Sequence, residues 1–105
     1  MITVVKYKDH KHNPECTYIG RGSPLGNPYA MKVDTEEERE AVIKLFKEHM
    51  MLYVKIPDSN VRKALIDLYR REKNGENILL GCFCAPKACH GNVIKEFIEE
   101  MVAIE

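Results

Sequence analysis

Residues 2–7 (ITVVKY) form a β-branched apolar run closed by a charged, His-rich stretch, DHKHNP, and this pattern predicts a strand. Residues 16–19 (CTYI) predict a second, short strand that runs into a Gly/Pro-rich loop over 20–29. A helix opens after Asp34, where Thr35-x-x-Glu38 reads as a capping box and three acids in the first turn suit the positive end of the helix dipole. Its apolar face is Val42, Ile43, Phe46, His49, Met50 and Tyr53, at three- and four-residue spacing, and Pro57 follows its end. Ser59 caps another helix with the stripe Val61, Leu65, Leu68, Tyr69, and Asn74-Gly75 stops it. Residues 78–83 (ILLGCF) are apolar on both faces, as in a central strand of a parallel sheet. From about Asn92 a last helix turns Val93, Ile94, Phe97, Ile98 and Met101 inward.

The order is strand, strand, helix, helix, strand, helix. A helical excursion between two strands favours a parallel crossover. The expected fold is therefore a small α/β layered domain, Rossmann-like in outline, with a largely parallel three- or four-stranded sheet packed by helices. No repeat, low-complexity tract or Ser/Gly linker interrupts the chain, so one domain over 1–105 is expected.

Charge narrows the function classes. Sixteen basic residues cancel sixteen acidic ones, so no bulk field steers the chain toward nucleic acid or an anionic membrane, and an anion site must be local. The first apolar stretch is too short for a signal peptide or a membrane span, which makes a cytoplasmic location the expectation. Cysteines there are reduced, and three of the four (Cys82, Cys84, Cys89) fall close together.

Two motifs stand out. The first is Gly20-Arg21-Gly22-Ser23-Pro24-Leu25-Gly26-Asn27-Pro28-Tyr29. Its glycines permit close backbone approach and its prolines restrict the loop, so several N–H groups can converge on an anion while Arg21 adds a bidentate fork. No Gly-Lys-Ser/Thr follows, and the glycine spacing is not that of a dinucleotide fingerprint. A rigid turn leading into the helical layer accounts for the same composition.

The second motif is Cys82-Phe83-Cys84-Ala85-Pro86-Lys87-Ala88-Cys89-His90-Gly91, between the third strand and the last helix. Three readings compete. A structural zinc site would use the three cysteines and His90, but the spacing lacks paired Cys-x-x-Cys knuckles and adjacent Cys-His chelation is awkward. A catalytic thiol at Cys89 suits a helix start, although His90 is poorly placed as base for its own neighbour. A phosphate or ribose cradle would use His90 and the free amides of the helix start. Plain packing of a small buried thiol fits Cys82 best.

If the second and third strands are parallel, both motifs emerge at the carboxyl edge of the sheet, where open α/β sheets bind ligands. Neither motif loop carries an acid: no Asp or Glu lies between Glu15 and Asp34 or between Glu76 and Glu96. Arg21, Lys32, Lys87, His90 and Lys95 leave these segments cationic or neutral. Such a pocket suits holding an anion better than carboxylate-driven hydrolysis or magnesium chemistry, unless Asp9, Glu15 or Asp34 reaches in. The Asp9-His10-Lys11-His12 turn reads as solvated, His49 as a core-edge histidine, and residues 36–40 (EEERE) as a solvated helix start.

The stretches YIGRGSPLGNPY (18–29) and LGCFCAPKACHG (80–91) resemble an uncharacterised family of small proteins, a domain of unknown function found in bacteria and their phages. The resemblance covers nearly the whole chain and implies that both motifs belong to one unit. It supplies no reaction. Nucleoside-processing enzymes and phage proteins that sequester nucleotide signals share this general shape, as a fold-level analogy.

The leading expectation is binding of a phosphate-bearing small molecule, a nucleotide or an ADP-ribose-like ligand, as in sequestering a signal nucleotide. Arg21, Ser23 and the loop amides around Gly20 and Gly22 would hold one anionic group, and His90, Gly91 and Asn92 another. Tyr18 or Tyr29 would stack on a base or ribose, with Asn27, Cys84, Lys87 and Cys89 completing the lining. The first alternative is an enzyme acting on a nucleotide or N-glycoside, with Cys89 or Cys84 as nucleophile and His90 or His12 as acid/base. The second is a zinc-stabilised interaction module. The leading reading calls for no cofactor, no metal and no membrane, and the helix ending in Met50 and Met51 offers a face for a homodimer.

Overall fold

A computed structural model describes residues 1–83, 87 and 89–104. It shows an α/β architecture of three parallel strands and four helices among the described residues. The order along the chain is β1 (Ile2–Lys6), α1 (Tyr7–His10), β2 (Cys16–Tyr18), α2 (Glu36–Tyr53), α3 (Asn60–Lys73), β3 (Ile78–Cys82) and α4 (His90–Ile104). In the sheet the order is β1-β3-β2, so the most apolar strand is central. Ile2 pairs with Ile78 and Lys6 with Cys82 on one side of it; Cys16 pairs with Leu79 and Tyr18 with Gly81 on the other.

The two faces of the sheet differ. Ile2, Ile78, Leu80 and Cys82 point to one face and are buried in a single core with Phe46 and Met50 of α2, Leu65 and Leu68 of α3, and Ile94 and Ile98 of α4. Thr3, Val5, Cys16, Tyr18 and Leu79 alternate to the other face, where they are exposed or half-buried. Helices α2, α3 and α4 thus coat one face, whereas parallel sheets are ordinarily covered on both. Among the described residues the second face receives the return from β1 to β2, residues 7–15, and Phe83 against Tyr7 and Tyr18, with Tyr7 lying over Gly81: a Cβ on Gly81 would sit 2.8 Å from the Tyr7 ring and 2.9 Å from Cys16 Sγ. So short a parallel return is possible because β2 starts level with Leu79, three rungs (about 10 Å) below Cys82.

Local chemistry sets the helix ends. Thr35 Oγ1 accepts from the Glu38 N–H at 3.2 Å, half of the expected capping box; the Thr35 N–H donates to the Val33 carbonyl instead. Ser59 Oγ accepts from the Arg62 N–H at 3.1 Å. Past the end of α3, Gly75 takes a φ of +78°, and the Glu76 N–H donates to the Arg71 carbonyl, closing the helix. Several boundaries differ from the sequence pattern: β2 and β3 each stop one residue early, at Tyr18 and Cys82. The first strand stops at Lys6 and Tyr7 begins the four-residue α1, and α4 starts at His90 rather than near Asn92. Cys89 provides that earlier start: its Sγ accepts from the Gly91 N–H at 3.3 Å and its carbonyl from the Asn92 N–H at 3.1 Å.

The one-sided core makes neighbouring residues of β3 unequal. Leu80→Ala, on the helix-covered face, should cost about 2–5 kcal/mol. Leu79→Ala, on the other face, should cost less than half as much. Urea unfolding of the two variants checks this, and equal losses would mean that both faces are packed alike.

Candidate functional site

Because β2 and β3 run parallel, the loops that follow them leave the sheet at one edge, and they meet there. Between them lies a hollow of about 270 Å³. The loop after β2 contributes Gly20, Arg21, Asn27, Tyr29 and Met31; the start of α2 contributes Arg39, Val42 and Ile43; Cys82 and Phe83 come from the end of β3, and Cys89 and His90 from the start of α4.

The loop after β2 holds its shape through its own polar groups. The Ser23 N–H and hydroxyl both donate to the Gly20 carbonyl, at 3.1 and 2.7 Å, and the Gly26 N–H donates to the Ser23 carbonyl at 3.0 Å. Gly26 lies so close that a Cβ there would press on the Gly20 carbonyl oxygen, so glycine is needed for the approach. Asn27 Nδ2 donates to the Val42 carbonyl of α2 at 3.0 Å, while its Oδ1 accepts from the Tyr29 N–H at 2.9 Å. This one side chain fixes the loop against the helix. Tyr29 reaches the same helix edge-on to His49, whose ring lies 4.5 Å from that of Tyr53. His49 is half-buried in that aromatic row.

His90 joins the two walls. Its Nε2 lies 2.6 Å from the Ile19 carbonyl at the end of β2, and its ring packs edge-on to Phe46 at 4.9 Å. A carbonyl can only accept, so Nε2 carries the proton in this bond. Burial holds the imidazole below its ordinary pKa, and the Ile19 and Leu25 carbonyls oppose part of that shift. Cys89 Sγ lies 3.0 Å from Cys82 Sγ, and among the described residues no hydrogen bond joins Cys89 to His90.

The sequence-derived candidates therefore separate. Gly20, Arg21, Asn27, Tyr29, Cys89 and His90 line the hollow. Tyr18 does not; it lies on the other face of the sheet against Tyr7 and Phe83, and its hydroxyl donates to the Arg21 carbonyl at 3.0 Å. Ser23 and Gly22 shape the turn outside the lining. Gly91 packs against β1 and β2, where a Cβ would meet Ile19 at 2.9 Å and Val4 at 3.1 Å, and Asn92 is exposed on the first turn of α4. Lys87 lines a neighbouring hollow with Asp34, Glu36 and Glu40. Cys84 lies outside the described residues. The turn around Asp9 and His12 is exposed, and no group of three His, Cys, Asp or Glu side chains among the described residues is placed to hold a metal.

Arg39 is the residue that sequence reading missed. It sits in the acidic run 36–40, taken above for a solvated helix start, yet its side chain is only 12% exposed and lines the hollow. Its spacing from Val42 and Ile43, three and four positions, was the available signal, because it places all three on one helix face. Asp34 accepts from Arg39 Nη2 at 2.9 Å from an exposed position outside the lining. Among the described residues the lining contains two arginines and no carboxylate.

A small parallel α/β fold with a hollow of about 270 Å³ at the carboxyl edge of its sheet defines the structural class. The chain belongs to the family described as a domain of unknown function (DUF4326), whose model matches residues 2–100. It is similar to an uncharacterised 12.4 kDa protein from the nrdA-td intergenic region of Enterobacteria phage T4, with 33% identity over 83 residues, covering 79% of this chain and 67% of the phage protein. No solved structure matches. Among the described residues no helix is long and apolar enough to cross a membrane.

The His90 clamp has a pH signature. Above the ordinary histidine value of 6.5 neither the folded nor the unfolded chain protonates this ring. As pH falls below 6.5 the unfolded chain takes up the proton first, so the stability contribution is lost on the acid side. Wild type should therefore lose more stability between pH 7 and pH 5 than His90→Gln, whose amide still donates to Ile19. Denaturant midpoints across that range provide the check, and parallel slopes would contradict it.

Proposed function

We propose that the hollow binds a phosphate-bearing small molecule of nucleotide type. The observation that carries this reading is that Arg21 and Arg39, from two separate elements, flank one hollow whose lining, among the described residues, has no acidic residue, in a chain of zero net charge. Guanidinium groups match phosphate oxygens bidentately, and a partly enclosed site strengthens that attraction over its value in water. The remaining walls are apolar or aromatic. Tyr29 and Phe83 offer ring faces for a base or ribose, while Met31, Val42 and Ile43 exclude water.

Size restricts the ligand further. About 270 Å³ lies just under the range of about 300–1,000 Å³ typical of small-molecule sites. The hollow therefore suits a ribose phosphate or one nucleotide, with any second nucleoside of an ADP-ribose-like ligand left outside. Two side chains first assigned to the phosphate are engaged elsewhere, Ser23 with Gly20 and His90 with Ile19, and Asn27, expected in the lining, is bonded to Val42. Charge recognition falls to Arg21 and to Arg39, whose Nη2 is already paired with Asp34, so an anion binding there competes with that ion pair. A hydrolytic reading needs a base within reach of Cys89, and the His90 ring is turned to the Ile19 carbonyl instead.

Calorimetry with ribose 5-phosphate and nucleoside mono- and diphosphates tests the proposal. At least one should bind, more weakly as salt rises, and Arg21→Ala or Arg39→Ala should each weaken it about ten- to a hundredfold, as expected for loss of a charged hydrogen bond. Absence of binding across the panel at millimolar concentration, or unchanged affinity in both variants, would refute it.

A further inference from the structure

The sulfur pair on the floor of the hollow is not needed to hold an anion. Cys82 ends β3 and Cys89 immediately precedes α4, and both are nearly fully buried, at 1% and 3% exposure. Their sulfurs are 3.0 Å apart, close enough for one to attack an oxidised form of the other without movement of the backbone elements. Both line the hollow, which gives a small reagent access to otherwise buried thiols. Cys89 Sγ also accepts from the Gly91 N–H in the first turn of α4, where a negative sulfur is favoured.

We propose that Cys82 and Cys89 form a peroxide-reactive dithiol reached through the hollow, with Cys89 as the attacking thiol and Cys82 as the resolving one. In the first step the Cys89 sulfur attacks one oxygen of hydrogen peroxide. An S–O bond forms, the O–O bond breaks, and the departing hydroxide takes the thiol proton and leaves as water. Cys89, oxidised by two electrons, is then a sulfenic acid. In the second step Cys82 attacks that sulfur, an S–S bond forms, the S–O bond breaks, and the hydroxyl leaves with the Cys82 proton as a second water. One peroxide and two thiols become one disulfide and two waters. A neutral oxidant of this size fits the hollow, and the proposal stands whether or not a nucleotide binds there.

The test exposes the reduced protein to one equivalent of hydrogen peroxide, then combines acid quenching, alkylation and peptide mass mapping. The expected product is a Cys82–Cys89 linkage, reversed by dithiothreitol, forming at least about tenfold faster than Cys16 is oxidised. Cys16 is the internal comparison, a half-buried thiol on the other face of the sheet that does not line the hollow. Cys82→Ser should stop at a sulfenic acid on Cys89 that dimedone traps, and Cys84→Ser should leave the linkage unchanged. Oxidation no faster than at Cys16, or a disulfide through Cys84, would overturn the proposal. The wild-type map alone decides if a variant fails to fold.

Discussion

The hydrogen bond between the His90 imidazole and the Ile19 carbonyl sets the geometry on which the rest of the site depends. It joins the residue that follows β2 to the first residue of α4, far apart in sequence, and Phe46 of α2 closes over the same ring. A buried carbonyl left without this partner would carry its full desolvation cost. The separation of the two walls is therefore fixed by a directional bond, and apolar packing fills in behind it. Gly91, pressed against Ile19 and Val4, lets α4 start close enough to the sheet for the imidazole to reach.

The polar residues of the Gly/Pro-rich loop serve the same end. Ser23 and Asn27 spend their donors on backbone carbonyls, and Gly26 permits a close approach that a side chain would block. Shape is built from neutral hydrogen bonds within the chain. Charge is supplied separately, by arginines whose long stems reach the hollow from two directions. This division sets two arginines, one of them paired with Asp34, beside one hollow in a chain with no net charge. The balancing acids Asp34, Glu36 and Glu40 lie around the adjoining hollow.

Much of the fold was legible in the sequence because periodicity reports burial directly. The run at 78–83 reads as a central strand, and it is the strand with two neighbours. The stripe from Val42 to Tyr53 reads as a helix, and Val42, Phe46 and Met50 are its buried residues. Alternation does not report what covers each face, so the half-bare second face of the sheet could not be read from it. Helix α1 is only four residues long and has no side-chain cap, so neither periodicity nor capping marks it. The site was legible as two loops at one edge, since that follows from parallel strands. Its individual roles were not: whether a serine, asparagine or histidine faces inward or bonds its own backbone depends on torsion angles that composition leaves open. Arg39 was hidden for the opposite reason, as acidic neighbours on the same turn masked its position on the apolar face.

The unequal anchoring of the strands has one more consequence. β3 is bracketed on both sides, whereas β2 is a three-residue edge strand, and from it hangs the wall that carries Gly20, Arg21 and Asn27. Segments with few cross-strand bonds open at low free energy. A molecule bound as proposed, spanning from that wall to α2, would act as a splint, adding its own attachments where the ladder is shortest. Its dwell time and the peeling of β2 would then be two views of the same linked equilibrium.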